Sequence, residues 1–146
     1  MAALGAGVIV VGDGTTDPST ESLAGTARSW TKAQRGTLVT LTSSSGATAV
    51  DLSLGNNYTL TLGENSALSV PSNAVAGQSG SILIIQDGTG SRTLSYSAAQ
   101  YLFAGGTDPT LSTAGNAIDR LDYFVSVTGN GGSTSRIHCV LTSALA

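Results

Sequence analysis

The side chains that most often carry nucleophilic or metal chemistry are scarce in this sequence. It has one histidine and one cysteine, His138 and Cys139, and they are neighbours. Consecutive residues of a strand point to opposite faces, so the two side chains are not expected to meet as a Cys–His dyad. One imidazole and one thiol also cannot supply the ligands of a zinc site within one chain. A buried structural role is expected for Cys139.

The acidic residues offer the remaining candidates for chemistry. Asp119 and Asp122 lie three residues apart in a predicted strand, which places them on opposite faces rather than as an acid–base pair. Two Gly-rich acidic turns, residues 13–17 and 87–90, contain oxygen ligands for calcium, but each has fewer carboxylates than a dedicated site. Ordinary turns explain both segments better, with weak calcium binding as the alternative. We predict no catalytic residue, no metal site and no cofactor, in a protein that is not an enzyme.

Composition and charge exclude several classes of partner. The 146 residues include 6 Lys and Arg against 9 Asp and Glu, a net charge of −3, and charged residues make up 10% of the chain. The basic residues are mostly scattered, whereas binding to a phosphate backbone requires them in a cluster. No segment approaches the roughly 18 continuous apolar residues of a membrane span, and the apolar start lacks the basic residues of a signal peptide. We expect a chain made in the cytoplasm that binds neither nucleic acid nor membranes.

The elements that would position these residues are short strands. From residue 36 onward, apolar and polar residues alternate between turns rich in Gly, Asn and Ser, a spacing typical of all-β domains. An Asp87–Gly88 turn is predicted to join two of the strands as a tight hairpin. The fold expected for residues 36–146 is an antiparallel β-sandwich or a jelly-roll-like barrel. The predicted strands cover residues 37–42, 50–54, 58–62, 68–70, 82–85, 92–96, 119–127 and 137–141, and Pro71 either ends the strand at 68–70 or marks it as an edge strand.

Residues 1–35 differ from the rest of the sequence and are predicted to form an N-terminal anchoring arm. The segment has little apolar surface from which to build a core. Its apolar residues are therefore expected to pack on the main domain or on a neighbouring protein, and residues 8–11 are suited to adding a strand to a sheet edge. Trp30 is either an anchor of the arm or a cover for the edge of its own core. The predicted partner-binding residues are Val8, Ile9, Val10, Val11 and Trp30.

Three segments of the main domain resemble a known family. They are residues 77–94, which include QDGTGSRTL, residues 103–112, which include GGTDPTLS, and residues 116–119, NAID. In this order they resemble a β-domain of tailed-bacteriophage structural proteins, found in tail fibres, head fibres and decoration or minor structural proteins. The resemblance covers residues 36–146. The turn at residues 129–133, GNGGS, departs from the family's shorter turn with an aromatic residue, which weakens a receptor-binding role for this turn.

The resemblance implies a non-catalytic protein of the virion surface, synthesised in the host cytoplasm and assembled as a homotrimer. A chain of this length is short for a long fibre, which favours a capsid decoration or cementing protein, or another head-surface protein. Such a protein would bind neighbouring capsid subunits through its arm. The alternative is a receptor- or glycan-binding tip of a tail fibre or spike. In that case the sugar-stacking platform would come from Tyr96, Tyr101, Tyr123 or Trp30.

Overall fold

In the computed structural model of the chain, the described residues are 9–12, 18–21, 33, 35–130 and 134–145. The chain forms two compact units, residues 1–34 and 35–146. Within the first unit, strand β1 (Ile9–Gly12) pairs antiparallel with strand β2 (Pro18–Glu21). The prediction that Val8, Ile9, Val10, Val11 and Trp30 anchor the arm is not tested by the structure. Val8 and Trp30 lie outside the described residues, and so do the side chains of Ile9, Val10 and Val11.

The regular secondary structure of the second unit consists almost entirely of strands. Alternation of apolar and polar residues specifies them, because a strand turns successive side chains to opposite faces. Within the described residues, no helix has the length and apolar character needed to cross a membrane. The elements are β3 (Leu38–Leu41), β4 (Ser43–Ser44), β5 (Ala47–Thr48), β6 (Asn57–Leu62), β7 (Ser66–Leu68), β8 (Ser79–Gln86), β9 (Leu94–Tyr96), β10 (Tyr101–Leu102), a 3-10 turn (Ala104–Gly106), β11 (Ile118–Val127) and β12 (Arg136–Leu145).

These strands form two sheets joined by a repeated crossing of the chain. The six-stranded sheet has the order β10-β12-β11-β8-β6-β3, and the four-stranded sheet has the order β4-β5-β7-β9. Strands β3, β6 and β8 are parallel in the first sheet, and β5, β7 and β9 are parallel in the second. The chain therefore passes from the six-stranded to the four-stranded sheet three times, after β3, β6 and β8, and returns each time. We call each such circuit a coil. Stacked coils of this kind make a short solenoid.

A long hairpin closes one end of the stack of coils. Strand β11 pairs antiparallel with both β8 and β12, which places Leu121 between Ile82 and Leu141. Strand β10 then pairs in parallel with the far side of β12. At the opposite edge of the six-stranded sheet, β3 has no further neighbour among the described strands. The hairpin predicted from residues 119–127 and 137–141 is thus confirmed.

Inward-facing side chains of the two sheets form one hydrophobic core. Tyr58, Leu60 and Leu62 alternate along β6 and are fully buried, as their two-residue spacing predicts. The four-stranded sheet adds Leu68 and Leu94 to the same cluster. Burial of this apolar surface is the main force that holds the coils together, at about 25 cal/mol per Å² removed from water.

A buried amide ties the long connections to this core. Gln86, at the end of β8, donates from Nε2 to the carbonyl oxygens of Arg92 and Ser112, each at 2.9 Å. Its Oε1 accepts a hydrogen bond from the Arg92 backbone N–H, also at 2.9 Å. The buried amide thereby satisfies its own polar atoms and holds two loops in place, since an unpaired polar group at this depth would be costly.

The all-β prediction is confirmed, but the antiparallel arrangement is wrong, because both sheets contain parallel pairs.

The predicted Asp87–Gly88 hairpin is also wrong. Strands β8 and β9 lie in different sheets, and the positive φ angles fall at Gly90 (74°) and Ser91 (61°). A Cβ atom at Gly90 would lie 2.4 Å from the carbonyl oxygen of Thr113, so glycine lets the two loops touch. The predicted strand at residues 50–54 is reduced to a single bridge between Asp51 and Ser72.

Candidate functional site

The only thiol of the chain is part of the core. On β12 the side chain of Cys139 faces inward and is buried, whereas His138 faces outward and is exposed. Burial raises the pKa of the Cys139 thiol to about 12, because the thiolate would lose its hydration. The two residues therefore lie on opposite faces, as the sequence predicts, and the thiol stays protonated at neutral pH.

His138 has a different partner, which the sequence analysis missed. Its Nε2 lies 2.9 Å from Ser126 Oγ, across the β11–β12 hairpin. Only the register of the hairpin brings these residues together, so spacing along the chain gives no signal for the pair. Within the described part of the chain, no carboxylate is hydrogen-bonded to His138 to orient it, as a Ser–His–Asp triad would require. The pair is an exposed hydrogen bond on an open sheet.

The acidic turn at residues 87–90 is held by its own backbone and by an arginine. Asp87 Oδ1 accepts from the backbone N–H groups of Thr89 (3.0 Å) and Gly90 (2.8 Å). Asp87 Oδ2 accepts from Arg92 Nη2 at 2.7 Å and from Arg92 Nε at 2.9 Å. These hydrogen bonds, that of Arg92 first, lower the pKa of the Asp87 carboxyl. Calcium would have to displace a guanidinium that donates two hydrogen bonds to Asp87 Oδ2, which favours the ordinary-turn interpretation. Residues 13–17, the other candidate turn, lie outside the described residues.

The two carboxylates considered as an acid–base pair lie apart, as expected. Asp119 is buried and accepts hydrogen bonds from the Ser112 backbone N–H and hydroxyl, each at 2.7 Å, and from the Ala144 N–H at 2.9 Å. Asp122 lies on the opposite face, where it accepts from Ser81 Oγ at 2.6 Å. Across the described ranges, no three His, Cys, Asp or Glu residues are grouped so as to hold a metal ion.

The tyrosines proposed as a sugar-stacking platform are core residues, so this part of the sequence interpretation is wrong. Tyr96, Tyr101 and Tyr123 are all buried. The Tyr101 hydroxyl donates to the Ser69 carbonyl oxygen at 2.9 Å, and that of Tyr123 donates to the Asn56 carbonyl oxygen at 3.0 Å. Tyr96 packs edge-on against Tyr101 and Phe103. Their apolar rings fill the space between the sheets, and the alternation of strand residues predicts this inward position.

A groove in the second unit is lined by neutral side chains without aromatic rings. It encloses about 440 Å³ and includes Leu52, Val75 and Thr128 in its lining. Among the described residues that line it, none is charged or aromatic. Sugar-binding sites usually combine a ring for stacking with polar groups that fix orientation, and this groove offers no such ring.

The side chains of the six-stranded sheet that point away from the core form a further surface, which the sequence analysis did not single out. Strand register aligns its side chains in two rows that cross five strands. We call these rows and four further outward-facing residues the outer face. The first row is Leu38, Asn57, Ser81, Asp122 and Val140; the second is Thr40, Thr59, Leu83, Arg120 and Thr142; the others are Ile85, Ile118, Phe124 and His138.

Apolar and neutral residues dominate the outer face. Leu38 is 57% exposed, Phe124 49% and Val140 64%, and polar residues lie between Leu38 and Val140. The charged residues of the two rows are Arg120 and Asp122, and they bind each other, with Arg120 Nη2 2.9 Å from Asp122 Oδ2. Thr and Ser hydroxyls occupy most of the remaining positions of the two rows, so the face is largely neutral and polar between its apolar side chains.

Comparisons with known proteins give no relative from which to transfer a function. No protein-family model, no curated protein and no solved structure matches the chain significantly. Any functional conclusion therefore depends on the residues and geometry described above.

Proposed function

We propose that the chain is a non-catalytic structural protein of a tailed-bacteriophage virion, and that it decorates or cements the head surface through residues 1–35. One observation carries this proposal. In the second unit, the thiol, carboxylate and phenol groups best suited to catalysis or ligand binding instead stabilise the fold. Cys139 and Asp119 are buried, Asp87 is bound by Arg92 and its own turn, and Tyr101 and Tyr123 donate to backbone carbonyl oxygens.

The division of the chain supports attachment through the first unit. The residues of the described hydrophobic core fall between Val39 and Leu141, within the second unit. A second unit with a described core of its own supports a separate, attaching role for residues 1–34. The resemblance of residues 36–146 to phage structural domains favours another virion protein as the partner of this attachment, and we propose that it is a capsid subunit.

A glycan-binding tip is the less supported function. An adhesin of that kind would present aromatic rings at an exposed site, and the tyrosines assigned to it are buried. The neutral groove beside Val75 offers no replacement ring among its described residues. We therefore retain decoration of the head as the proposed function.

Binding to capsids that lack the protein tests the proposal directly. Full-length protein is mixed with purified capsids, and the bound fraction is measured by co-sedimentation over a range of concentrations. We expect saturable binding, and at least tenfold weaker binding when Val8, Ile9, Val10 and Val11 are all replaced by Ser, because the apolar contact area is lost. The matched control replaces two exposed apolar residues of the second unit, Leu54→Ser with Val75→Ser, and should bind as the parent does.

Two outcomes would contradict the proposal. Absence of saturable binding by the parent protein would overturn head decoration. Equal binding by the parent and by the fourfold variant of residues 8–11 would overturn attachment through the arm, provided that circular dichroism shows both proteins folded.

A further inference from the structure

We propose that the outer edge of β3 accepts an extended segment of a partner protein as an added strand, and that this segment carries a lysine or arginine that binds Glu64. The inference goes beyond the proposed function, because it concerns a second contact, made by the second unit and not by residues 1–35. It follows from three features of this end of the stack of coils: the backbone of β3, the side chains that β3 turns inward, and a groove that contains a carboxylate.

The backbone of β3 has hydrogen-bonding groups directed away from its one neighbour. Its four residues run parallel to residues 57–60 of β6. Because a strand directs the N–H and C=O groups of alternate residues to opposite sides, two residues of β3 direct these groups away from β6. No described strand lies on that side, and no described turn or loop bonds to the backbone of residues 38–41. An extended backbone matches such alternating donors and acceptors.

The side chains of β3 define which strand would fit. Leu41 belongs to the hydrophobic core and Val39 packs against it, half-buried, whereas Thr40 points to the opposite side and is exposed. The first coil has no described coil beyond it, so an added strand would extend the core past Val39 and Leu41. Alternate residues of the partner segment are therefore apolar, and the residues between them are polar.

A groove of about 470 Å³ lies where β3 ends and the chain turns toward β4. Its lining includes Thr42, Ser43 and Glu64, and Glu64 is the one charged residue among the described residues that line it. Glu64 Oε1 accepts hydrogen bonds from Ser43 Oγ at 2.8 Å and from the Gly46 N–H at 3.0 Å. These bonds, that of Gly46 first, lower the pKa of the Glu64 carboxyl, which is therefore ionised at neutral pH.

The charge of Glu64 determines the charge of the partner segment. Of the described arginines, Arg92 and Arg120 are paired with Asp87 and Asp122, and neither binds Glu64. A strand that follows β3 toward the groove would bring a side chain next to this carboxylate. A lysine or arginine there gains an ion pair, whereas an acidic side chain is repelled, also by the net charge of −3 of the chain.

Hydrogen exchange of single amides, measured by nuclear magnetic resonance on the labelled full-length protein, tests this inference. The probe is a blocked synthetic hexapeptide of alternating valine and threonine that ends in lysine. We expect saturable binding with a dissociation constant of about 0.1–1 mM, as four backbone hydrogen bonds and a short apolar contact imply. Exchange should slow at least threefold at alternate amides of residues 38–41, because only these face the added strand.

Two further peptides separate the backbone contact from the charge contact. A peptide whose central valine is replaced by proline lacks one N–H and should give no protection of residues 38–41. A peptide that ends in glutamate should bind at least threefold more weakly than the lysine peptide.

Glu64→Gln keeps an oxygen for Ser43 and Gly46 but removes the charge, so it should bind the lysine and glutamate peptides equally. The matched control Asp108→Asn removes the same charge from an exposed residue of another groove and should keep the preference of the parent.

Each outcome decides the question. Unchanged exchange of residues 38–41 at about 5 mM lysine peptide would overturn the inference, and so would protection that does not alternate or that the proline peptide also gives. Protection of these residues without peptide would show that the chain covers its own edge. Equal binding of the lysine and glutamate peptides by the parent would overturn the role of Glu64, even if Glu64→Gln does not fold. Capsids are absent from this experiment, so its failure leaves head decoration untouched.

Discussion

At the scale of single residues, the tyrosines show most clearly why chemistry inferred from residue type failed here. Tyr58 is fully buried, and its hydroxyl donates to the carbonyl oxygens of Asp51 at 2.8 Å and Gly55 at 2.6 Å. Desolvation raises the pKa of all four tyrosines, Tyr58, Tyr96, Tyr101 and Tyr123. A tyrosine, with an apolar ring and a polar hydroxyl, is suited either to stacking on a sugar or to a hydrophobic core. Only the residues packed around it in the folded protein determine which role it has.

Spectrophotometric titration of the phenols tests this burial. A phenol whose folded pKa is raised above the unfolded value of 10.0 favours folding below that pH, and its contribution is lost as the pH rises through the folded value. The near-ultraviolet phenolate signal should therefore appear above pH 10, in one step with the loss of the circular dichroism of the fold. Two or more tyrosines that ionise reversibly near pH 10 in folded protein would contradict the buried arrangement. Protein in denaturant, where all four should titrate near 10, is the control.

At the scale of elements, β8 is the strand on which the arrangement of coils depends. It lies between β6 and β11 and brings Gly80 against the turn that precedes β6. The Asn56 carbonyl oxygen accepts from both the Ser81 N–H and the Tyr123 hydroxyl, each at 3.0 Å. A Cβ atom on Gly80 would lie 1.7 Å from that oxygen. Glycine is thus required here for a close approach of two backbone segments.

Gly80→Ala should destabilise the protein by roughly 1–3 kcal/mol, because the Asn56 carbonyl must move away from both of its donors. The free energy of unfolding is measured by urea denaturation. Gly63→Ala is the matched control, since a Cβ atom there meets nothing within 4 Å, and its stability should stay within about 0.5 kcal/mol of the parent. Equal free energies of unfolding for the two variants would show that the contact of Gly80 with the Asn56 carbonyl does not contribute to stability.

The elements also show what the sequence could and could not predict. The alternation at Tyr58, Leu60 and Leu62 predicts β6 and its buried face, and the last hairpin follows from its two strands and turn. Parallel pairing leaves no such signal, because residues alternate with the same period in parallel and antiparallel strands. Asp87–Gly88 is a common hairpin dipeptide, yet no hairpin forms here. The Arg92 side chain binds Asp87 and the Arg92 backbone N–H binds Gln86 Oε1, and the chain then continues into the four-stranded sheet. The outer face could not be foreseen for the same reason, since it exists only once the register is known.

At the scale of the second unit as a whole, the two ends of the stack of coils differ. The β11–β12 hairpin covers one end, whereas β3 is an edge strand whose sequence, LVTL, contains none of the charged or proline residues that usually protect an edge. An open groove of about 470 Å³ includes Thr40 and Leu41 in its lining beside this edge. Stability is therefore expected to fall from the middle of the sheet toward β3.

Native-state hydrogen exchange measures this gradient. Peptides from β6, β8 and β11 should exchange slowest, because each strand has neighbours on both sides, and the peptide covering residues 38–41 should exchange much faster. The β12 peptide, paired along most of its length with β11, provides an internal reference. Protection of residues 38–41 equal to that of β8 would mean that the edge is covered by another strand, the role considered for residues 8–11.

The inward position of Cys139 protects its thiol from oxidation. In an oxidising solution, an exposed cysteine is able to form a disulfide with one neighbouring molecule, and its sulfur is also open to further oxidation. Here the only sulfhydryl is buried with a pKa of about 12, so oxygen and peroxides meet almost no thiolate. The protein is therefore expected to stay free of intermolecular disulfides in air-saturated water for long periods.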